Sequence, residues 1–328
     1  MKPSILLFAA MLAAISAQAT VRTVSNSPSQ PAQYSSLQVA IDAAVNGDTL
    51  YVLGTGTAYP AITIDKQLTI IGSGYAPPAP AQPTVISTIY LYSNAGGSKL
   101  SSIDANSTIY IYCSDVTLER SRIYYIAPQV AGLNNLVIRH NYIYYAGFNN
   151  ANSVLFANNI VHSGGYIQTS NSASVLITNN LFISYYWHAL NTISNALVTN
   201  NIFWQSLPGD ASVTGCTYSN NISYQTANDN IPFGTNGGSG NLVGVNPQFT
   251  NAPNNTLNFA YNYDLLPGSA GNNAGTDGTD IGIYGGPAPW PNQNGVARIP
   301  RVREFNLQFS QVPQGGTVNA TVKANKEN

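Results

Sequence analysis

A repeat of about 20 residues occupies the middle of this sequence, from residue 116 to residue 224. Each copy has a short alternating β pattern followed by a polar pair whose second residue is usually Asn. These second residues are separated by steps of 20, 18, 21, 21 and 20 residues, and they are Ser121, Asn141, Asn159, Asn180, Asn201 and Asn221. A period near 20 without a helical segment is typical of a solenoid in which each repeat forms one coil.

The repeated asparagines have a physical role in such a coil. A sharp corner between strands needs a residue in the left-handed conformation, which Asn tolerates best after Gly. Because stacked coils lie about 4.8 Å apart, the amide side chains can hydrogen-bond to one another along the stack. We therefore predict a structural Asn ladder formed by Asn141, Asn159, Asn180, Asn201 and Asn221.

The side-chain direction is clear before the ladder and open after it. Alternate apolar residues before each Asn predict the inward face of one strand column. After the Asn, two columns compete for the interior. One consists of Ile160, Leu181, Ile202 and Ile222, and the other of Ile123, Ile143, Val161, Phe182 and Phe203.

The repeat resembles that of the right-handed parallel β-helices of the pectin-lyase-like superfamily, whose members stack Asn at one turn. The resemblance covers roughly residues 20 to 290. It implies an all-β fold, a single-stranded right-handed parallel β-helix or solenoid. Polysaccharide lyases and glycoside hydrolases belong to this superfamily, but their catalytic patterns are missing. No two acids are adjacent in sequence, no His precedes Gly, and no Arg-x-Lys occurs. Whether the chain is an enzyme stays uncertain.

The ends of the chain predict additional segments. Lys2, the apolar run after it and Ala17-Gln18-Ala19 indicate a signal peptide cut after Ala19, and hence a secreted or cell-surface protein without a membrane span in the mature chain. The alternative is an uncleaved anchor. The predicted organisation is a signal peptide (1–19), a β-helix (20–286) with an N-terminal capping helix near 35–46, a linker (287–297) and a C-terminal β-hairpin (298–328). The hairpin would close the C-terminal edge of the β-helix or attach the protein to a surface.

Charge excludes several partners. The sequence has 12 basic and 13 acidic residues, and removal of Lys2 leaves 11 against 13, a net charge near −2. This balance argues against nucleic acid and against a polyanionic substrate.

Cys113 and Cys216 are predicted to lie five coils apart, roughly 24 Å, beyond disulfide reach. Oligomeric state stays open.

The first candidate site is the most charged part of the repeat. Glu119 and Arg139 share an offset in adjacent coils, and Arg120 and His140 take the turn position that Asn occupies elsewhere. Arg122 adds a third guanidinium. Arg120, Arg139 and His140 are therefore catalytic candidates. The alternative is an exposed ion pair, which contributes under about 1 kcal/mol.

The second candidate site lies in the longer loops. His188, Asp210 and Asp229 fall eight or nine residues after the ladder, and Trp187 precedes His188. The imidazole and two carboxylates could serve acid/base catalysis, and Asp210 and Asp229 could bind calcium. Alternatively both aspartates are turn formers. No other cofactor is evident.

Aromatic residues three positions after the ladder form the third candidate site. If they point outward, sugar rings could stack on them; otherwise they belong partly to the core. With Trp187, the carbohydrate-binding candidates are Tyr124, Tyr144, His162, Trp204 and Tyr224. Two similar phrases, STIYLY and STIYIY, predict Tyr90 over Tyr110 and Tyr92 over Tyr112 on the outside.

These observations favour an exported β-helix that binds extracellular polysaccharide without an identifiable catalytic site. One alternative is a polysaccharide lyase or glycoside hydrolase that uses the Arg120/Arg139/His140 patch or the His188/Asp210/Asp229 loops. Another is a structural surface or adhesion module.

Overall fold

The computed structural model describes residues 19–169, 174–183, 188–291, 295–297, 301–307 and 320–325. It is a right-handed parallel β-helix of about 9 turns, so the predicted fold is confirmed. Strands of successive coils pair in parallel, each with its equivalent about 20 residues later. Val137, for example, pairs with Thr117 below it and Leu155 above it.

Two parallel sheets form the walls of the β-helix. The strands of sheet 1 are Val21–Val24, Thr49–Val52, Thr69–Gly72, Lys99–Ser101, Thr117–Glu119, Leu136–Arg139, Ser153–Ala157, Ser174–Thr178, Leu197–Thr199 and Thr217–Ser219. The strands of sheet 2 are Ile62–Ile64, Val85–Ile86, Ile89–Leu91, Asp104–Ile111, Arg122–Pro128, Tyr142–Gly147, Ile160–His162, Ile167–Thr169, Leu181–Ile183, Leu190–Ile193, Ile202–Trp204, Ile222–Tyr224 and Leu242–Val243. A 3₁₀ turn spans Ser93–Ala95.

An α-helix, Leu37–Ala43, lies against the first coils, within the stretch where the sequence predicts a capping helix. The Ser36 side chain accepts a hydrogen bond from the Val39 amide at its N-terminus. Leu37, Ala40 and Ile41 are buried. At the C-terminal end, the Lys66 ammonium donates to the carbonyls of Ile41, Asp42 and Ala44 at 2.7–3.1 Å. A cation there satisfies carbonyls that have no partner within the helix.

The two residues of each polar pair do different work. The first takes the left-handed conformation at the corner, with φ between 52° and 58° at Arg120, His140, Asn158, Asn179, Asn200 and Asn220. The second points its amide inward. Asn141, Asn159, Asn180, Asn201 and Asn221 each donate from Nδ2 to Oδ1 of the next asparagine, at 2.9–3.1 Å. The column ends at Asn241, which was not among the residues predicted from the repeat.

Both columns that follow the ladder are buried, which resolves the open alternatives. Ile123, Ile143, Val161, Phe182 and Phe203 face the interior of the β-helix. Ile160, Leu181, Ile202 and Ile222 point outward but are covered by a later part of the chain. Ser223 fits the interior column because its hydroxyl donates to the carbonyl of Asp229.

The covering chain is the return segment, defined as residues 246–291 and 295–297. It contains an antiparallel strand pair, Phe249–Asn251 with Asn262–Leu265, and runs back over the coils in reverse order. The corner side chains hold it by donating to successive acceptors, from the upper coils to the lower. These bonds are Asn220 to Ala274 O (2.7 Å), Asn200 to Thr276 Oγ1 (3.1 Å), Asn179 to Gly282 O (3.2 Å), Asn158 to Ile283 O (2.8 Å) and His140 to Ala288 O (2.7 Å).

The structure differs from the predicted linker over 287–297. Residues 287–291 and 295–297 belong to the return segment and pack against the β-helix, with Trp290, Val296 and Ala297 buried. The Pro/Asn/Gly composition suggested a solvated linker. The segment is held instead mainly through backbone carbonyls and a few apolar side chains, which composition does not reveal.

The chain ends are only partly described. Strands Arg301–Leu307 and Ala320–Asn325 pair antiparallel, while residues 308–319 lie outside the described residues. The predicted signal peptide falls on residues 1–18, which are also outside them, and on Ala19. Among the residues that the structure describes, no helix is long and apolar enough to cross a membrane. Cys113 and Cys216 are buried and free.

Candidate functional site

A cleft of about 490 Å³ lies between sheet 1 and the return segment. Its charged lining comes from adjacent coils, because parallel pairing puts Ser101, Glu119 and Arg139 in one row. The lining residues are Thr69, Ile71, Lys99, Ser101, Glu119, Arg120, Arg139, His140 and Pro287–Pro289. The cleft brings together the catalytic candidates Arg120, Arg139 and His140 with Glu119, whereas Arg122, predicted as a third guanidinium of this patch, lies on sheet 2 and pairs with Asp104.

Glu119 is the centre of this cleft and holds two cations. Its Oε1 lies 2.7 Å from Lys99 Nζ, and its Oε2 lies 2.8 Å from Arg139 Nη2. Burial acts to raise the pKa of the Glu119 carboxyl, but Lys99 and Arg139 together outweigh it and leave the pKa lowered. The pair is therefore not the fully exposed one considered from the sequence: the Glu119 side chain is 8% exposed, and the two cations about two-fifths.

His140 and Arg120 are buried corner residues below the return segment. Nε2 of His140 carries a proton and donates it to the carbonyl of Ala288, and Nδ1 is buried without a hydrogen-bond partner among the described residues. The pKa of His140 is lowered to about 4, chiefly by burial and also by the charges of Arg139 and Arg120, against the Ala288 bond, which raises it. The neutral imidazole thus makes the same kind of bond to the return segment as the corner asparagines do, which accounts for a His at this corner.

The second candidate set does not form a centre in the structure. Asp210 Oδ1 accepts the amide and hydroxyl of Ser212, and Asp229 Oδ1 accepts those of Thr226, so each aspartate closes a turn. His188 forms a bridge to Leu207. Trp187 lies outside the described residues. Within the described ranges, no three His, Cys, Asp or Glu residues come close enough to hold a metal ion. The described residues therefore provide no group of ligands for the calcium ion that was considered at Asp210 and Asp229.

The third candidate set is divided by the return segment. Tyr124 and Tyr144 stack at 5.2 Å between ring centroids on the outer face of sheet 2, and Tyr124 is 50% exposed. Trp204, in contrast, is only 6% exposed and packs on Phe249 of the return segment at 5.2 Å. Tyr224 is partly buried against the same cluster. Of the two alternatives left open by the sequence, Trp204 therefore takes the core one and is not a free stacking platform, because a chain segment without a repeat covers it.

Further tyrosines extend the exposed part of sheet 2. Tyr90 stacks on Tyr110 at 5.1 Å and Tyr92 on Tyr112 at 5.0 Å, in agreement with the predicted pairing. Rings stacked in this way turn their faces to each other and leave their edges and hydroxyls to solvent. These columns therefore present hydroxyl groups more than ring faces.

A break in the tyrosine column creates a notch of about 410 Å³. Tyr110 pairs with Ala127 in the next coil. In the coil after that, Ala146 pairs with Ile126, so the residue that follows it, Gly147, continues the column of Tyr110 and Ala127. The absence of large side chains opens the notch, which is lined by Tyr124, Tyr125, Tyr145, Ala146, Gly147, Tyr166 and Gln168. Its rings are steeply inclined to one another: Tyr145 lies at 82° to Tyr125 and at 68° to Tyr166. A ligand in the notch can thus meet ring faces as well as edges.

A second hollow of about 270 Å³ adjoins the notch at Tyr124. It contains Asp104 and Arg122, joined by two bonds of 2.8 and 2.9 Å. Burial raises the pKa of the Asp104 carboxyl against the effect of Arg122. Burial, followed by the charge of Arg122, lowers the pKa of His162 to about 4. We call the notch and this hollow together the tyrosine groove. Asp104, Tyr125, Tyr145, Gly147 and Tyr166 are groove residues that were not predicted from the sequence.

The fold seen here is a right-handed parallel β-helix. Among solved structures, the chain is similar to the crystal structure of pectate lyase Pel9A, with a TM-score of 0.51 and 14% sequence identity. The match covers 84% of this chain and 96% of that one. At this identity the similarity shows the fold. No protein-family model matches the chain, and the comparison with curated proteins finds no match.

Proposed function

We propose that this chain is an exported protein that binds extracellular polysaccharide, with sugar units lying in the tyrosine groove. The observation that carries the proposal is the notch at Gly147, which is large enough for a sugar ring and lined by four tyrosines. Sugar rings have apolar C–H faces and a polar rim, and aromatic side chains with a hydroxyl match both.

The protonation of the groups in the tyrosine groove favours binding of a ligand over acid/base catalysis. A hydrogen bond with Tyr144 and then burial raise the pKa of the Tyr145 phenol to about 12, so this group stays protonated at neutral pH. It offers a hydroxyl for hydrogen bonding and no base. The groove has one carboxylate among its described lining residues, Asp104, and Arg122 holds both of its oxygens. A hydrolase of the usual kind needs two carboxylates across the scissile bond.

Cleavage of polysaccharide is the second candidate function, favoured by the similarity in fold to pectate lyase Pel9A. In this chain the charged cleft is its best location, since Arg139, Arg120 and His140 come together there. Two contacts argue against cleavage. Arg139 is bound to Glu119, and the Nε2–H of His140 donates to the carbonyl of Ala288, so neither side chain is available to a substrate. A structural or adhesion module is a third candidate, which would neither bind nor cleave free glycan.

The decisive variant fills the notch. Gly147 lies outside the left-handed region of φ, and the atoms nearest to a Cβ there would be those at the end of the Tyr125 side chain, with the hydroxyl 3.2 Å away. Gly147→Leu should therefore fold and lower retention on insoluble polysaccharide roughly tenfold, the loss of about one stacked sugar. The matched control is Gly56→Leu, whose side chain enters open space.

A panel of polysaccharides would be tested for retention and, in parallel, for release of reducing ends and of unsaturated products. Retention without products, lost in Gly147→Leu and kept in Gly56→Leu, supports the proposal. Products that disappear in Arg139→Ala would establish the enzyme instead. Equal retention by both glycine variants would refute the notch as the binding site.

A further inference from the structure

We infer that the polysaccharide bound in the tyrosine groove is neutral, built of sugars that carry neither carboxylate nor sulfate. This inference rests on the proposed function and names its ligand class. It comes from the charges that face the groove and from their partners.

The ion pair in the groove cancels its own charge. Arg122 Nε donates to Asp104 Oδ1 at 2.9 Å, and Arg122 Nη2 lies 2.8 Å from Asp104 Oδ2. These two bonds occupy the Nε–Nη2 edge of the guanidinium, one of its two edges that can take a carboxylate, and Asp104 balances the charge of the whole group. Asp104 is 4% exposed, so a glycan carboxylate would have to displace a buried anion to reach that edge.

The other polar groups that line the groove are a histidine, phenols and amides. His162 is neutral because its pKa lies near 4, and its Nδ1 is bonded to the Ser163 hydroxyl at 2.8 Å. Tyr124, Tyr125, Tyr144, Tyr145 and Tyr166 supply phenols, and Gln168 and Asn106 supply amides. Such a lining hydrogen-bonds hydroxyls well. It offers no compensation for the desolvation of an ionised group, which is costly without a partner.

The remaining cations of the described β-helix lie away from the groove or are engaged. Arg22 is paired with Asp48, and Lys66 binds the carbonyls at the end of the helix. Lys99 and Arg139 hold Glu119 in the cleft on the opposite sheet, and Arg120 is buried in the lining of the same cleft. Residues 170–173 and 184–187, which the structure does not describe, contain no charged residue in sequence. An anionic polysaccharide therefore finds little in this groove to bind it.

The same ion pair gives a gain-of-function test. Asp104→Asn keeps the shape and one acceptor for Arg122 but leaves the guanidinium charge without its counter-ion. We expect this variant to acquire retention on polyuronate and on sulfated glycan, and this retention should fall as the salt concentration rises. Asp42→Asn is the control, because it removes one negative charge from the exposed helix surface.

The wild-type protein would be tested on insoluble neutral glucan and mannan, on polygalacturonate and on dextran sulfate, with soluble oligosaccharides as competitors. Retention on a neutral polymer, displaced only by neutral oligosaccharides, supports the inference. Equal or stronger retention on the anionic polymers overturns it while the proposed function stands. Retention on none of them counts against the proposed function itself. A folded Asp104→Asn variant that gains no more anion retention than Asp42→Asn overturns the role of the ion pair, and the wild-type competition gives its result even if the variant does not fold.

Discussion

Replacing His140 with Asn should make the protein less sensitive to acid. His140 is the corner residue that donates to Ala288 O of the return segment, a position that Asn158, Asn179 and Asn200 hold in the coils above. The variant therefore installs the residue that the repeat itself uses. Asn tolerates the φ of 57° and does not titrate, and its amide carries an N–H donor with a shorter reach than Nε2 of His140.

The size of the effect follows from the depressed pKa. In the folded state the pKa of His140 is about 4, against an ordinary value of 6.5. A depressed pKa means that the unfolded chain takes up the proton first. The contribution of the neutral His140 to the free energy of unfolding is thus complete above pH 6.5 and is lost as the pH falls toward the folded pKa of about 4. For one such group, the free energy of unfolding falls by about 2 kcal/mol between roughly pH 7 and pH 5.

The assay is urea unfolding of the wild type and of His140→Asn at those two pH values. We expect the wild type to lose about 2 kcal/mol more than the variant on acidification. Other titrating groups, among them His162 and Glu119, are common to both proteins and cancel in the difference. His140→Ala is the comparison variant. It loses the bond to Ala288 and, like His140→Asn, has no imidazole to titrate, so it should be less stable than His140→Asn by about 1–3 kcal/mol at either pH.

Equal acid sensitivity of the wild type and His140→Asn would refute this reasoning. It would mean that His140 titrates normally in the folded protein, and hence that the return segment does not bury it. The same result would also remove the support for the neutral tautomer at this corner.

Three further substitutions test other parts of the fold. Asn180→Ala removes an amide that is fully buried and bonds to Asn201 Oδ1, so urea unfolding should show a loss of roughly 3 kcal/mol. Trp204→Ala should cost about 3–5 kcal/mol in the same assay and leave glycan retention of the folded protein unchanged, because Trp204 lies under the return segment. Retention lost without any loss of stability would contradict that placement. Glu119→Gln should lower stability by about 1 kcal/mol, since Lys99 and Arg139 are partly solvated. The pKa of Glu119 is lowered, so this difference should be present above 4.5 and vanish as the pH falls through the folded value.

The repeat could be interpreted from the sequence because its contacts are periodic. A residue and its neighbour in the next coil are about 20 positions apart, so the row of Glu119 and Arg139 and the stacks of Tyr90 on Tyr110 follow from counting. Register is less certain where a coil contains an irregularity. The pairing shifts between Ile123 and Tyr125, and the alignment that produces the notch at Gly147 depends on that shift.

The return segment could not be predicted in the same way. The corner side chains bind it mostly through backbone carbonyls, such as those of Ala274 and Ala288, and every residue has one. No motif therefore marks the segment. Its position nevertheless decides that Trp204 is buried and that Tyr124 is exposed, and so which half of the aromatic stripe can meet a ligand.

The sequence by itself determined the coil, its period and the inward amides, because a periodic chain repeats the same local demands at every corner. Only the tertiary structure decided which outward residues are free. That depends on a non-repeating segment, held by contacts between residues as far apart as His140 and Ala288. Whether such a residue is buried depends on the segment that covers it, and the neighbouring residues in the sequence do not indicate that segment.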